Sequence, residues 1–217
     1  MFSLFIINNK NKHSFPYGGI MKKNNHPQKG DRIAVEPIRR LEDIQAISKI
    51  LATSPRDHLL FTMGINNGLR TVDLLRLAVK DVRHLKPGDR VTIKESKTGK
   101  TNILMINKTI YKSLQAYLAQ LKPQDSDFLF KSRKGNAPLQ SQAVSKLVKK
   151  WTAAINLTGN YGAHTLRKTF GYIQRTVYGV GFEVLCKRYN HSSPAITMRY
   201  LGIHDKEVGA ILMNDIG

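Results

Sequence analysis

The chain has one cysteine, Cys186, in 217 residues. No internal disulfide can form, and such usage fits a reducing compartment, so a cytoplasmic location is expected. No stretch approaches the roughly 18 consecutive apolar residues of a membrane-spanning helix. The opening MFSLFIINNK carries an apolar patch, but no basic residues precede it and no small-residue cleavage site follows, so it does not read as a secretory signal. Internal repeats are lacking. Acidic residues are scarce: Asp and Glu number 15 against 35 Lys and Arg, giving a formal net charge of +20. An excess of that size suits a polyanionic partner, with nucleic acid first. The seven histidines do not fall with Cys, Asp or Glu at ligand spacing, so neither a metal nor another cofactor is expected.

A hydrophobic content of 41% is that of a globular protein. The positive charge is spread along the chain, +6 over residues 1–40, +11 over 41–162 and +3 over 163–217. It therefore belongs to the folded body and not to a basic tail. Residues 1–36 are rich in Asn, Lys and Gly with little periodicity and are expected to be flexible. A folded domain is expected over residues 37–217.

From Pro37, Ile38, Leu41, Ile44, Ile47 and Leu51 recur at helical steps. Ser54-Pro55 opens a second helix, and Asn66-Asn67-Gly68 ends it. Thr71 is a candidate N-cap for a short helix after Arg70, which places Arg70 at a helix N-terminus, a location that suits an anion. The period then changes. Val91–Glu95 and Thr101–Ile106 read as a β-hairpin with Lys97 and Lys100 at its Gly-containing tip, and Phe128–Phe130 reads as a short strand. Two amphipathic helices flank that strand, one with Ile110, Leu114 and Tyr117, the other with Val144, Val148 and Trp151. The second has Lys146, Lys149 and Lys150 on its opposite side. In the last third, Leu166, Phe170, Ile173 and Val177 form an apolar stripe, with His164, Arg167 and Lys168 off it. Lys100, Lys146, Lys149, Lys150 and Lys168 are candidates for contact with DNA. Ser192 or Ser193 caps a further helix that carries Tyr200, and a last helix is expected near Asp205–Met213. The fold class is α+β, mainly α-helical, with a small antiparallel hairpin at one edge.

A phosphodiester reaction would use these residue types. Negative charge gathers on the non-bridging oxygens, and a guanidinium stays charged and presents parallel donors. Arg70 and Arg167 could each supply roughly 3–4 kcal/mol to the transition state, by analogy with oxyanion donors. His164, one helical turn from Arg167, adds a donor or base on the same face. A tyrosine hydroxyl attacks phosphorus only with help in losing its proton. A leaving oxygen needs a proton, and Lys97 on a hairpin tip can give one.

The order and spacing of these groups resemble the catalytic domain of the tyrosine recombinase or phage integrase family, from about Pro37 to about Asn214. GLRTVDLLRL resembles the family's first box, with Arg70 its arginine and Asp73 its acidic helper. ESKTGKT supplies the hairpin lysine, Lys97. HTLR is similar to the second box and supplies His164 and Arg167. NHSSPAITMRY is similar to the third and supplies His191 and the nucleophile Tyr200. Two positions depart from the pattern: Asn190 stands where Gly is common, and Lys168 where His is common. The resemblance implies cleavage and rejoining of double-stranded DNA through a 3′-phosphotyrosyl link, without metal or nucleotide. It implies a tetramer on DNA joined through the C-terminal helix, and an N-terminal core-binding domain that residues 1–36 are too short to form. A non-catalytic DNA-binding relative and a type IB topoisomerase-like enzyme are the competing readings.

Overall fold

The computed structural model describes residues 34–133, 135–203, 213 and 215. The flexible segment expected over 1–36 and the helix expected near Asp205–Met213 lie largely outside these. Residues 34–36, assigned to that segment, are tied down: the Glu36 amide donates to the Asn160 carbonyl at 2.7 Å.

Three helices open the described chain: α1 (Leu41–Ile50), α2 (Pro55–Asn67) and the four-residue α3 (Thr71–Leu74). Helix α1 starts later than the periodicity suggests. Ile38 is buried, but as an extended anchor whose amide donates to Thr169 Oγ1 at 2.9 Å. Glu42 and Asp43 then occupy the first turn, where negative charge favours a helix start. Pro55 sits in the first turn of α2, and Gly68 ends that helix at φ 59°. A side-chain carbon at Gly68 would lie 2.3 Å from Phe170 Cδ1, so both the backbone angle and the packing call for glycine. The N-cap of α3 is Arg70, not Thr71. The Thr71 hydroxyl instead donates to the Ala163 carbonyl at 3.0 Å, fastening α3 to a later helix.

Strands β1 (Arg90–Lys94) and β2 (Thr101–Met105) form the antiparallel hairpin, paired from Arg90 opposite Met105 to Lys94 opposite Thr101. Phe128–Phe130 makes no strand. It runs between two isolated bridges, Ala78 with Phe128 and Lys131 with Pro138, because its neighbours offer only one or two backbone partners each.

Helices α4 (Lys108–Leu121), α5 (Ser141–Ala154), α6 (Ala163–Thr176), α7 (Phe182–Tyr189) and α8 (Pro194–Leu201) complete the fold. Asn107 caps α4 by accepting the Ile110 amide at 2.8 Å. Ser193, one of the two serines considered, caps α8. The main core gathers α1, α2, α4, α5 and the inward face of the hairpin, with Phe61 edge-on to Trp151 at 5.9 Å. A smaller cluster of Leu185, Tyr189, Leu201 and Ile203 holds α7 and α8 against α6. Cys186 is buried there, as core. Helix α6 faces both clusters, so its buried surface is wider than one stripe. Arg167 and Lys168 are both buried, while Val177 is exposed.

Candidate active site

Four separate pieces of chain bring the candidate groups together. The α2–α3 corner supplies Arg70, the hairpin turn Lys97, α6 His164 and Arg167, and the α7–α8 region His191 and Tyr200. Arg70, Lys97 and His164 line one cleft of about 530 Å³, with Ser96, Ser141 and Ser145. The N-terminus of α6 is fixed beside it, since the Ala163 amide donates to Ser145 Oγ at 3.1 Å and the Gly162 amide to Thr165 Oγ1 at 3.0 Å. Another cavity, of about 440 Å³ and lined by Arg56, Asp57, Tyr117 and Asp127, contains none of these groups.

Arg167 is 2% exposed. It donates to the Gly68 carbonyl at 2.6 Å and the Tyr189 carbonyl at 2.9 Å, and its guanidinium carbon lies 4.3 Å from the Tyr189 ring centre. The buried charge is thus met by two helix-end carbonyls and an aromatic face. Tyr189 reciprocates by donating its hydroxyl to the Arg167 carbonyl at 2.7 Å. Arg188 braces the same region from α7, donating to the Asn67 carbonyl and to Asn102 Oδ1.

His191 packs between two rings, with centroids 5.2 Å from Tyr189 and 5.4 Å from Tyr200. Its Nδ1 is 3.0 Å from the buried Thr197 hydroxyl. Burial, then the charges of Arg167 and Arg70, lower its pKa to about 4. His164 is exposed at the cleft. Desolvation by surrounding protein, then Arg167, Lys168, Lys97 and Arg70, lower its pKa from the ordinary 6.5. Both shifts favour the neutral imidazole.

Tyr200 is half-buried, and its hydroxyl oxygen is covered without a well-formed hydrogen bond. Arg167 lies near that oxygen, outside good hydrogen-bond geometry. Burial pushes the phenol up to about 12, against the pull of Arg167 and Arg70. The ring is edge-on to Tyr189 at 5.5 Å.

The structure thus places all six candidate side chains in one electrostatic neighbourhood. Asp73 is buried there too, but it does not bond Arg70: its Oδ1 accepts the Ser96 amide at 2.9 Å and the Ser96 hydroxyl at 2.7 Å. Arg70 forms an ion pair with Glu95. Glu95 was not singled out by sequence, although Val91, Ile93 and Glu95 alternate and would set a carboxylate on the buried side of a strand end. Lys100, Lys146, Lys149 and Lys150 are exposed. Lys168 is the correction. At 8% exposure it offers no surface to DNA, and its ammonium lies over the Tyr200 ring. Among the described residues, no three His, Cys, Asp or Glu gather at a metal-binding distance, and no helix is long and apolar enough to cross a membrane.

Comparison with known proteins bears on this cluster. YoeC, a probable integrase/recombinase of Bacillus subtilis (strain 168), is 39% identical over 174 residues, covering 79% of this chain and 91% of that one. A tyrosine recombinase of Pseudothermotoga lettingae is 26% identical over 167 residues, and the chain spans 56% of its length. Against that and other longer tyrosine recombinases, the chain spans about half. In fold it resembles the XerA recombinase crystal structure, with a TM-score of 0.67 at 18% identity, covering 83% of this chain and 66% of that one. It also resembles XerH site-specific recombinase bound to its difH substrate before cleavage, with a TM-score of 0.62 at 23% identity, covering 83% of this chain and 53% of that one. The fold is that of tyrosine recombinase catalytic domains. The model of the phage integrase family matches residues 39–207, a span that takes in Arg70, the hairpin, α6 and Tyr200. The chain belongs to the phage integrase family.

Proposed function

We propose that this chain is the catalytic domain of a tyrosine-type site-specific DNA recombinase, with Arg70, Lys97, His164, Arg167, His191 and Tyr200 as its catalytic residues. What carries the reading is that four separate elements bring these residues near one another: Arg70, Lys97 and His164 share one cleft, and the charges of Arg70 and Arg167 reach His164, His191 and Tyr200 alike. Tyr200 Oη attacks the scissile phosphorus, forming the tyrosyl–phosphate bond as the bond from phosphorus to the 5′ oxygen breaks. The phenolic proton passes to neutral His164, and Lys97 protonates the departing 5′ oxygen. Arg70 and Arg167 meet the charge on the non-bridging oxygens. His191 donates to the same phosphate. Attack by another strand's 5′ hydroxyl reverses the step and exchanges strands. No bond is lost to water, so the energy of the linkage is kept.

The partner is double-stranded DNA, held in part by exposed Lys100 on the hairpin and by Lys146, Lys149 and Lys150 on α5, whose first turns border the cleft. A tetramer on DNA, joined through the segment after Ile203, and a cytoplasmic location complete the reading. Covalent capture tests it. Nicked duplexes with a randomised centre are incubated with the chain, and DNA linked to protein through a denaturant-resistant bond is sequenced. An adduct that vanishes in Tyr200→Phe is expected. Binding without any adduct would favour a non-catalytic relative, and relaxation of plasmid at no preferred sequence a topoisomerase-like enzyme.

A further inference from the structure

Glu95 lies one residue past β1, at the entry to the turn that bears Lys97. Its side chain is wholly buried. A buried carboxylate is costly unless every oxygen is met. Here one oxygen pairs with the Arg70 guanidinium and accepts the Thr98 hydroxyl, and the other accepts the Asn102 amide at 2.8 Å. Burial alone would push this carboxyl up. Bonds from Thr98, Asn102, Arg70 and Asn190 outweigh burial and leave it at about 2, so it is ionised at any working pH.

Two of those donors bear directly on the proposed chemistry. Arg70 lines the cleft, and its guanidinium has five N–H donors, so a single contact from Nη1 to Glu95 tethers it and leaves donors for a phosphate. Thr98 is the residue after Lys97. The residue before Lys97, Ser96, is held by Asp73 from α3, the helix that Arg70 caps. Lys97 is therefore bracketed by two serine- or threonine-to-carboxylate bonds, and both carboxylates connect to the Arg70 corner. Asn190 belongs to the same arrangement. It ends α7 at φ 55°, where asparagine is the usual alternative to glycine, and its amide donates to the Thr101 carbonyl at 3.3 Å, beside the Glu95 carboxylate whose charge it favours.

We propose, resting on the recombinase reading, that Glu95 is a positioning residue for catalysis: it aims the Arg70 guanidinium at the scissile phosphate and, through Thr98, sets Lys97 at the leaving 5′ oxygen. Neither task requires Glu95 to touch DNA. Loss of its charge lets Arg70 turn away and frees the lysine-bearing turn.

Chemically altered substrates separate this from a merely structural role. A duplex recovered by covalent capture is remade with the ordinary scissile phosphodiester, with a methylphosphonate, and with sulfur in place of the bridging 5′ oxygen. The methylphosphonate lacks the charge Arg70 would neutralise. The sulfur leaves without needing the proton Lys97 would give. Glu95→Gln is expected to slow adduct formation about a hundredfold on the ordinary linkage, the scale of a misplaced catalytic group, and about tenfold or less on each altered one. Thr98→Val is expected to lose rate on the ordinary linkage and to be rescued by sulfur but not by the methylphosphonate. Equal losses on all three linkages, or no loss, would overturn the proposal. If Glu95→Gln does not fold, as read by circular dichroism, Thr98→Val decides alone. No adduct from the wild-type chain on any linkage would be a failure of the recombinase reading itself, a result separate from these.

Discussion

The Lys168 ammonium lies 5.0 Å from the centre of the Tyr200 ring. Burial and the nearby charge of Arg39 lower the Lys168 pKa, so its charged form is held against a cost, and the aromatic face helps to offset it. The ammonium covers one face of the Tyr200 ring. Lys168→Ala is expected to leave the chain folded and loosen that ring. Nitration of Tyr200, read by mass spectrometry, should rise severalfold over wild type. Unchanged nitration would mean that Tyr189 and His191 hold the ring by themselves.

The contact between His191 and Thr197 sets which ring nitrogen carries the proton. If the threonine hydroxyl donates to Nδ1, then Nε2–H is left to donate to a phosphate oxygen. Thr197 is fully buried and of nearly the same shape as valine, so Thr197→Val removes the hydroxyl with little change in packing. Adduct formation is expected to fall about 10–100-fold, the usual scale for removing a partner that orients a histidine. The melting temperature should shift by only a few degrees.

His191 also predicts a pH dependence of stability. Its folded pKa is about 4 against an ordinary 6.5. Between those values the unfolded chain takes up a proton that the folded chain refuses. Stability is therefore full above pH 6.5 and falls as the pH drops towards about 4. The loss should be roughly 2 kcal/mol after discounting for partial exposure. Glu95 acts in a separate window, losing its contribution only as the pH falls from 4.5 towards 2. Urea unfolding of wild type and His191→Gln at pH 7.5 and 4.5 checks this. The variant should lose less on acidification.

Binding of DNA by this chain is expected to be salt-dependent, because the exposed lysines of the hairpin and α5 would meet phosphates. Replacing Lys146, Lys149 and Lys150 by Gln should weaken binding evenly across sequences. It should also flatten the slope of log affinity against log salt by about 0.9 for each phosphate that is no longer neutralised. A mobility-shift titration at several salt concentrations measures both. Affinity that does not change with salt, or an unaltered slope in the lysine variant, would contradict the expectation.

Local chemistry was legible where it decided the structure. Ser54-Pro55 and Gly68 bound α2, and alternation with a Gly-containing turn marks the hairpin. Misreadings came where a distant partner won. Ile38 fits a helical stripe but is extended, because Thr169, 131 residues away, takes its amide. Thr71 looks like a cap, yet its hydroxyl serves the start of α6. Lys168 reads as a surface cation if α6 has one apolar stripe, whereas that helix is covered on two sides. The six candidate residues stand out through spacing that resembles a family. The burial of Arg167 and the pairing of Arg70 with Glu95 are not legible, since no short-range pattern shows which carboxylate will face which guanidinium.

The covered Tyr200 hydroxyl has one more consequence. Its oxygen is covered and burial pushes the phenol up to about 12, so the hydroxyl keeps its proton at working pH. In the proposed reaction, attack therefore waits on a base for that proton and on a phosphate held by the two guanidinium groups.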